Sequence, residues 1–130
     1  MKYFDKDFLE IYWNEDIHCV VMVWKKFIRG EDFREGLNTG LELLIEKNAS
    51  RWLADLRNLK ILSNEDQEWS NNEWFPRATK AGIKKMALVK PRSALAKMGV
   101  KNIMTRVNKI QVETAYFDNA GEALKWLDRP

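Results

Sequence analysis

One hundred and thirty residues, 45% of them hydrophobic, suit one domain with a single core. The net charge is +3, and no apolar run approaches the roughly 18 residues of a membrane span. The lone cysteine, Cys19, excludes an internal disulfide and fits a reducing cytoplasm, and the acid-bearing start MKYFDKDFLEIYW does not read as a secretory signal.

Phe8–Trp13 (FLEIYW) alternates in part and predicts a strand, followed by the turn cluster Asn14-Glu15-Asp16. Ile17–Trp24 (IHCVVMVW) predicts the second strand of a hairpin, and its apolar part, Cys19–Trp24, suits a strand covered on both faces. Gly30 then breaks the chain. Glu31–Lys47 predicts a helix, because Phe33, Leu37, Leu41 and Leu44 form one apolar stripe and acids open its first turn. Gly36 and Gly40 lie one turn apart in it. Each costs a helix about 1 kcal/mol relative to Ala, so close packing on the sheet must offset them.

Arg51–Leu56 (RWLADL) predicts the third strand. Ser63 or Asn64 is a candidate N-cap for a short helix, Glu65–Ser70. Asn71-Asn72 is expected to interrupt it, and Pro76 suits the first turn of a second helix ending near Gly82. Lys84–Lys90 (KKMALVK) predicts the fourth strand. Ser93–Val107 predicts a helix whose inner face is Leu95, Met98, Ile103 and Val107, with Gly99 as a potential break. Ile110–Phe117 predicts a fifth strand. Asn119 and Glu122 make a capping box for a last short helix with Ala123, Leu124 and Leu127 inward and Trp126 beside them.

The order β-β-α-β-α-β-α-β-α defines a single α/β domain over residues 1–130. It predicts a mixed five-stranded sheet, mainly parallel, covered by helices and edged by the opening hairpin.

The segment WLADLRNLKILSNEDQEWSNNEWFPRATKAGIKKMALVKP and the closing FDNAGEALKWL resemble the STAS/SEC14 domain family, more narrowly its SpoIIAA-like single-domain bacterial members. The resemblance covers nearly the whole chain and rests on order and extent rather than on one short motif. It implies an open mixed sheet, usually no enzyme activity, and a protein-interaction role. In the anti-sigma-factor antagonists of that family a serine at the start of the helix after the third strand is phosphorylated, within an Asp-Ser-Ser-Gly-like turn. Here the matching region is Leu62-Ser63-Asn64-Glu65-Asp66, so Ser63 is the residue that could take that part, and the glycine is missing. The related SEC14-type domains bind lipids in an apolar cleft.

The candidate site residues follow from position. Asp55, Arg57 and Asn58 end the third strand, where ligands gather in open parallel sheets. Arg57 could grip an anion by a bidentate contact, or the three could form a network that fixes the loop. Trp69, Trp74 and Phe75 read either as core or as a lid over a small amphipathic ligand; Arg77 and Lys80 carry that segment into the basic half. The lid reading requires a cavity of about 300 Å³ or more beneath Trp69–Phe75. Ser63 has a sufficient role as an N-cap, and a phosphate there would be opposed by Glu65 and Asp66.

Residues Arg77–Val112 hold ten Lys or Arg and no Asp or Glu, which leaves the rest of the chain at −7. This asymmetry describes either a solvated basic face paired with the acidic half or a surface for an anionic partner. No aromatic residue lies between Phe75 and Tyr116, which argues against base stacking and so against nucleic acid. His18 and Cys19 are adjacent, so on a strand they point apart, and no other His or Cys could complete a zinc site. No phosphate-binding loop or nucleophile-elbow motif occurs. The reading is a non-enzymatic regulatory or protein-interaction domain with no cofactor or metal. It has an unidentified protein partner, a small apolar ligand as the alternative, and room for a homodimer.

Overall fold

The computed structural model describes residues 1–26, 28–107 and 112–129. One mixed sheet has the order β1 (Lys2–Lys6), β2 (Leu9–Asn14), β3 (Cys19–Lys26), β4 (Arg51–Leu59), β5 (Lys85–Val89), β6 (Glu113–Phe117). The first three strands form an antiparallel meander, and β3 to β6 run parallel. The sheet therefore has six strands rather than five. The added strand, KYFDK, is charged and almost wholly exposed, so it carries no core signal; backbone pairing with β2 makes it. The hairpin strand begins at Cys19 rather than Ile17, since His18 takes φ 60 at the turn. The expected start of the last strand at Ile110 lies outside the described residues.

The parallel strands follow one another in order, so crossovers of a single hand all fall on one face. The helices α1 (Glu31–Glu46), α2 (Asn64–Trp69), α3 (Phe75–Ala81) and α4 (Ala94–Val107) lie on that face, over Leu9, Ile11, Met22, Trp24, Trp52, Ala54, Met86 and Leu88. Asn71-Asn72 does not interrupt the helical path: Ser70–Trp74 is a π-helical turn joining α2 to α3. That turn ends two residues before Pro76, which has no N–H to donate back along the helix. Gly82 ends α3 in the left-handed region, as its position suggests.

The two helix-breaking glycines of α1 are explained by contact. A Cβ on Gly36 would lie 2.5 Å from Leu9 Cδ2, and one on Gly40 would lie 2.5 Å from Trp52 Cη2. Both let the helix approach the sheet over tryptophan rings.

A last helix, α5 (Ala120–Leu127), returns to the opposite face, where Ala123 and Leu127 bury Cys19, Leu53, Ala87 and Val89. Its contacts centre on β5 and extend to β4 and β6. Val21 and Val23 stay half-buried, so β3 is not covered on both sides along its whole length. Beside them Glu10 accepts from Lys25 Nζ (2.7 Å) and from the Tyr12 hydroxyl (2.6 Å), and these two bonds hold its carboxyl down at about 2. Burial pushes the Cys19 thiol up to about 12. The folded protein should therefore leave Cys19 unlabelled by a thiol reagent at pH 8 until denaturant is added; fast labelling of the native state would contradict this packing.

The largest correction falls on α4. Leu95 and Met98 face solvent, at 59% and 62% exposure, while Ala96, Val100, Ile103, Met104 and Val107 face inward with Gly99. Gly99 does not break the helix. It seats α4 against Leu62, whose Cβ would lie 2.9 Å from an added Cβ. Each successive helical residue turns by about 100°, so the neighbouring 95/98 and 96/99 positions lie on different faces, and the flat contact made by Ala96 and Gly99 selects the second.

Candidate functional site

The carboxyl ends of the parallel strands meet two connecting loops, and several sequence-marked residues gather there. In β4 the register against β3 shifts between Val23 and Lys25, a bulge beside Leu56 and Arg57. Arg57 folds back on the buried Asp55: Nε and Nη2 donate to its two carboxylate oxygens at 3.0 and 2.7 Å, and the Arg57 backbone N–H donates at 3.3 Å. The pair shares a sheet face with Leu53, the side covered by α5. Asn58 is exposed beyond it. The Arg57 carbonyl accepts from the Arg92 N–H at 3.4 Å, which ties the loop after β5 to the end of β4.

The loop between β4 and α2 is fastened at almost every residue. The Lys60 carbonyl accepts from the Ser93 hydroxyl (2.7 Å), and the Leu62 carbonyl accepts from Gln67 Nε2 (2.9 Å). Ser63 Oγ accepts from the Asp66 N–H at 3.1 Å, so Ser63 is the N-cap of α2. Among the described residues, Ile61 is the one in the loop without such a bond, 38% exposed beside Arg29, Ile28, Asp32 and Ser63.

Asp66 is the residue that the sequence does not reveal. Its carboxylate is 1% exposed and accepts from the Gly30 N–H through both oxygens, at 3.2 and 3.0 Å. Gly30 caps α1 at φ 61 and ψ −131, a conformation suited to glycine, and has no side chain to offer the helix. Asp66 thus pins the start of α1 to the start of α2. Arg34 Nε, buried and without a hydrogen-bond acceptor among the described residues, lies 3.9 Å from Asp66 Oδ1. An acid in the first turn of a helix is ordinary, so nothing local separates Asp66 from Glu65.

The tryptophans divide. Trp74 is core: its Nε1 donates to the Leu37 carbonyl at 2.9 Å, and it meets Trp52 and Phe75 edge-on at 5.1 and 4.9 Å. Trp69 is half-buried against Phe33 and lies between two guanidiniums, Arg34 at 5.3 Å and Arg77 at 5.9 Å from its ring. Arg77 also donates to Asn38 Oδ1 at 2.8 Å. Trp69 belongs to the α1 side of the sheet and Arg57 to the α5 side, so the structure does not join them in one patch. Beneath Trp74 and Phe75 lies an apolar cavity of about 70 Å³, lined also by Leu56, Met86, Ile103 and Met104. Ligand pockets run from about 300 Å³, so this void falls well short of a lidded binding site.

Among the described residues no cluster of three or more His, Cys, Asp or Glu could hold a metal ion, and no helix is long and apolar enough to cross a membrane. His18 stands at the turn, bonded through Nε2 to the Lys47 carbonyl at 3.0 Å, away from the carboxyl-end loops.

A family model described as SpoIIAA-like matches residues 19–128. Among solved structures, the chain is similar to a protein of family DUF3478 with a SpoIIAA-like fold from Shewanella loihica PV-4. The two share 17% identity with a TM-score of 0.61, over 96% of this chain and 99% of that one. No curated protein matches the chain.

Proposed function

The chain belongs to the SpoIIAA-like family, and from that premise we propose that it works as a non-enzymatic, STAS-like interaction domain that presents its β4–α2 loop to a protein partner. The observation that carries the reading is a rigid loop with one apolar residue left outside. Lys60, Leu62 and Ser63 are each hydrogen-bonded in place, and Ile61 projects between them. A loop already held in its bound shape loses little entropy on docking. Arg29 borders Ile61, and Lys60 precedes it, so the matching partner offers an apolar hollow with an acidic rim.

Asp55 and Arg57 support this surface from behind. Their bidentate pair fixes the bulge from which the loop departs, and Arg57 anchors Arg92 through its backbone. We assign Ser63 to the cap. A phosphate on it would place about two negative charges beside Glu65.

Capture from a lysate of the source cell tests the reading. Wild-type bait should retain a protein that the Ile61→Asp, Arg92→Glu bait loses, with both baits melting at similar temperatures because these side chains are exposed. Equal recovery of the same proteins by the two baits would remove this loop as the docking surface.

A further inference from the structure

The two edges of the sheet are unlike. The β1 edge is charged at Lys2, Asp5 and Lys6, which discourages another strand from pairing there. The β6 edge, ETAYF, carries a single charge, Glu113, at its start. Glu113 donates its N–H to the Lys84 carbonyl at 2.8 Å, and the Phe117 carbonyl accepts from the Lys90 N–H at 3.0 Å. Successive residues of a strand present these groups to opposite sides. Glu113, Ala115 and Phe117 therefore bond β5, while Tyr116 aims its backbone N–H and C=O outward. Among the described residues no strand pairs with that side of β6.

A groove lies beside this edge. Tyr116 is opposite Leu88 in register, so its ring stands on the helix face of the sheet, next to α4. Lys90, Pro91, Lys97, Val100, Lys101 and Tyr116 line a space of about 320 Å³, the scale at which binding clefts begin. Its floor is apolar: Pro91 and Val100 are buried, and Tyr116 is 44% exposed. Its rim is cationic. The helix α4 carries Lys97, Lys101 and Arg106 and no acid. Among the described residues neither Lys97 nor Lys101 enters an ion pair, and they stand one turn apart, where like charges repel. Lys90 meets Asp118 at 3.2 Å, but both side chains are exposed, so that pair is weak. On the other face of β6, Phe117 is half-buried against Trp126, with ring centroids 5.6 Å apart.

We propose that the β6 edge and the α4 groove together take up an extended acidic peptide, which adds to the sheet as a further strand. The backbone of the incoming segment pairs with the outward N–H and C=O of Tyr116. Its side chains alternate between faces, so every second residue enters the groove. Glutamates at those positions lay their methylenes on the Tyr116 ring and bring their carboxylates to Lys90, Lys97 and Lys101. The residues between them fall on the α5 side beside Phe117, where β-branched apolar side chains fit. Glu113 and Asp118 bracket the strand, so the matching acids of the partner lie between them. The groove shares no lining residue with the Ile61 surface, so the inference does not depend on the partner surface proposed above.

Fluorescence anisotropy of a labelled Glu-Val-Glu-Val-Glu peptide, titrated with the full chain, tests it. Saturable binding with a Kd below about 1 mM is expected at about 0.01 M ionic strength. Lys97→Glu with Lys101→Glu should weaken it at least about tenfold. Tyr116→Ala should weaken it as well, because the floor of the groove is lost. Ile61→Asp should bind the peptide as the wild type does. All positions changed are exposed, and thermal melts check that each variant folds. Amide hydrogen exchange reads the backbone pairing: saturating peptide should slow exchange of the Tyr116 N–H at least about tenfold. A wild-type protein that fails to bind in low salt overturns the proposal. Binding that survives the double lysine reversal, or that Ile61→Asp abolishes, overturns it too. So does binding that leaves the Tyr116 amide unprotected, the mark of charge attraction without strand addition.

Discussion

Gly40→Val should lower the stability of the folded chain by about 3 kcal/mol, and the melting temperature by roughly 10 °C. The site is the closest approach of α1 to the sheet. An added Cβ would lie 2.5 Å from Trp52 Cη2 and 2.7 Å from Met22 Sδ. Met22 can turn its thioether aside, but Trp52 is 1% exposed and locked edge-on against Trp74. The helix therefore has to lift, which also separates Trp74 Nε1 from the Leu37 carbonyl on the same helix. Gly40→Ala should cost less, because about 1 kcal/mol of better helix propensity offsets part of the clash. Thr39→Ala, one position away on the outer side, should stay within about 0.5 kcal/mol of wild type. Thermal and denaturant unfolding by circular dichroism gives all three values. A Gly40→Val protein that melts with the wild type would mean that the two rings repack freely.

Asp66→Ala should cost about 2–4 kcal/mol, more than any other single polar truncation at the carboxyl-end loops. It leaves the Gly30 N–H without its acceptor and Arg34 Nε without a counter-charge, both at the junction of α1 and α2. Asp66→Asn keeps the shape and one acceptor oxygen, and should lose about half as much. Ser63→Ala removes only the cap on the Asp66 N–H, worth about 1 kcal/mol. Hydrogen exchange separates the clamp from general softening: in Asp66→Ala the Gly30 amide and the first turn of α1 should exchange faster while the β3–β5 amides keep their protection. Uniform acceleration across the sheet would instead show that Asp66 acts on global stability alone.

The two residues also show how far the chain can be read in one dimension. Gly40 carried a signal, since glycine one turn after Gly36 in an otherwise good helix demands a compensating contact, and the contact is there. Asp66 carried none. Its composition, spacing and position match an ordinary helix start, and its partner Gly30 is 36 residues away. The site residues divide in the same way. Asp55 and Arg57 are two apart on one strand, so their pairing is local. Arg57 and Trp69 are near in sequence but sit on opposite sides of the sheet, a separation set by strand alternation and by the crossover that follows. Trp69 and Trp74 looked like one aromatic group. The unbroken helical path through the π turn puts Trp74 in the core and leaves Trp69 at the margin between two arginines.

The sequence by itself determined the order of elements from the β2–β3 hairpin onward, the caps at Gly82 and Asn119, a cap at Ser63 or Asn64, and the parallel sheet with its antiparallel edge. These depend on periodicity and on interactions within a few residues of each other, which a linear reading contains. Tertiary structure alone decided which face of α4 turns inward, the pairing of the charged edge strand Lys2–Lys6, the burial of Asp66 and the size of the cavity beneath Trp74. Each of these is a choice between local conformations of nearly equal energy. Contacts between residues far apart in the chain make that choice: Gly99 against Leu62, the backbone of Lys2–Lys6 against β2, Asp66 against Gly30, and Trp74 against Leu37.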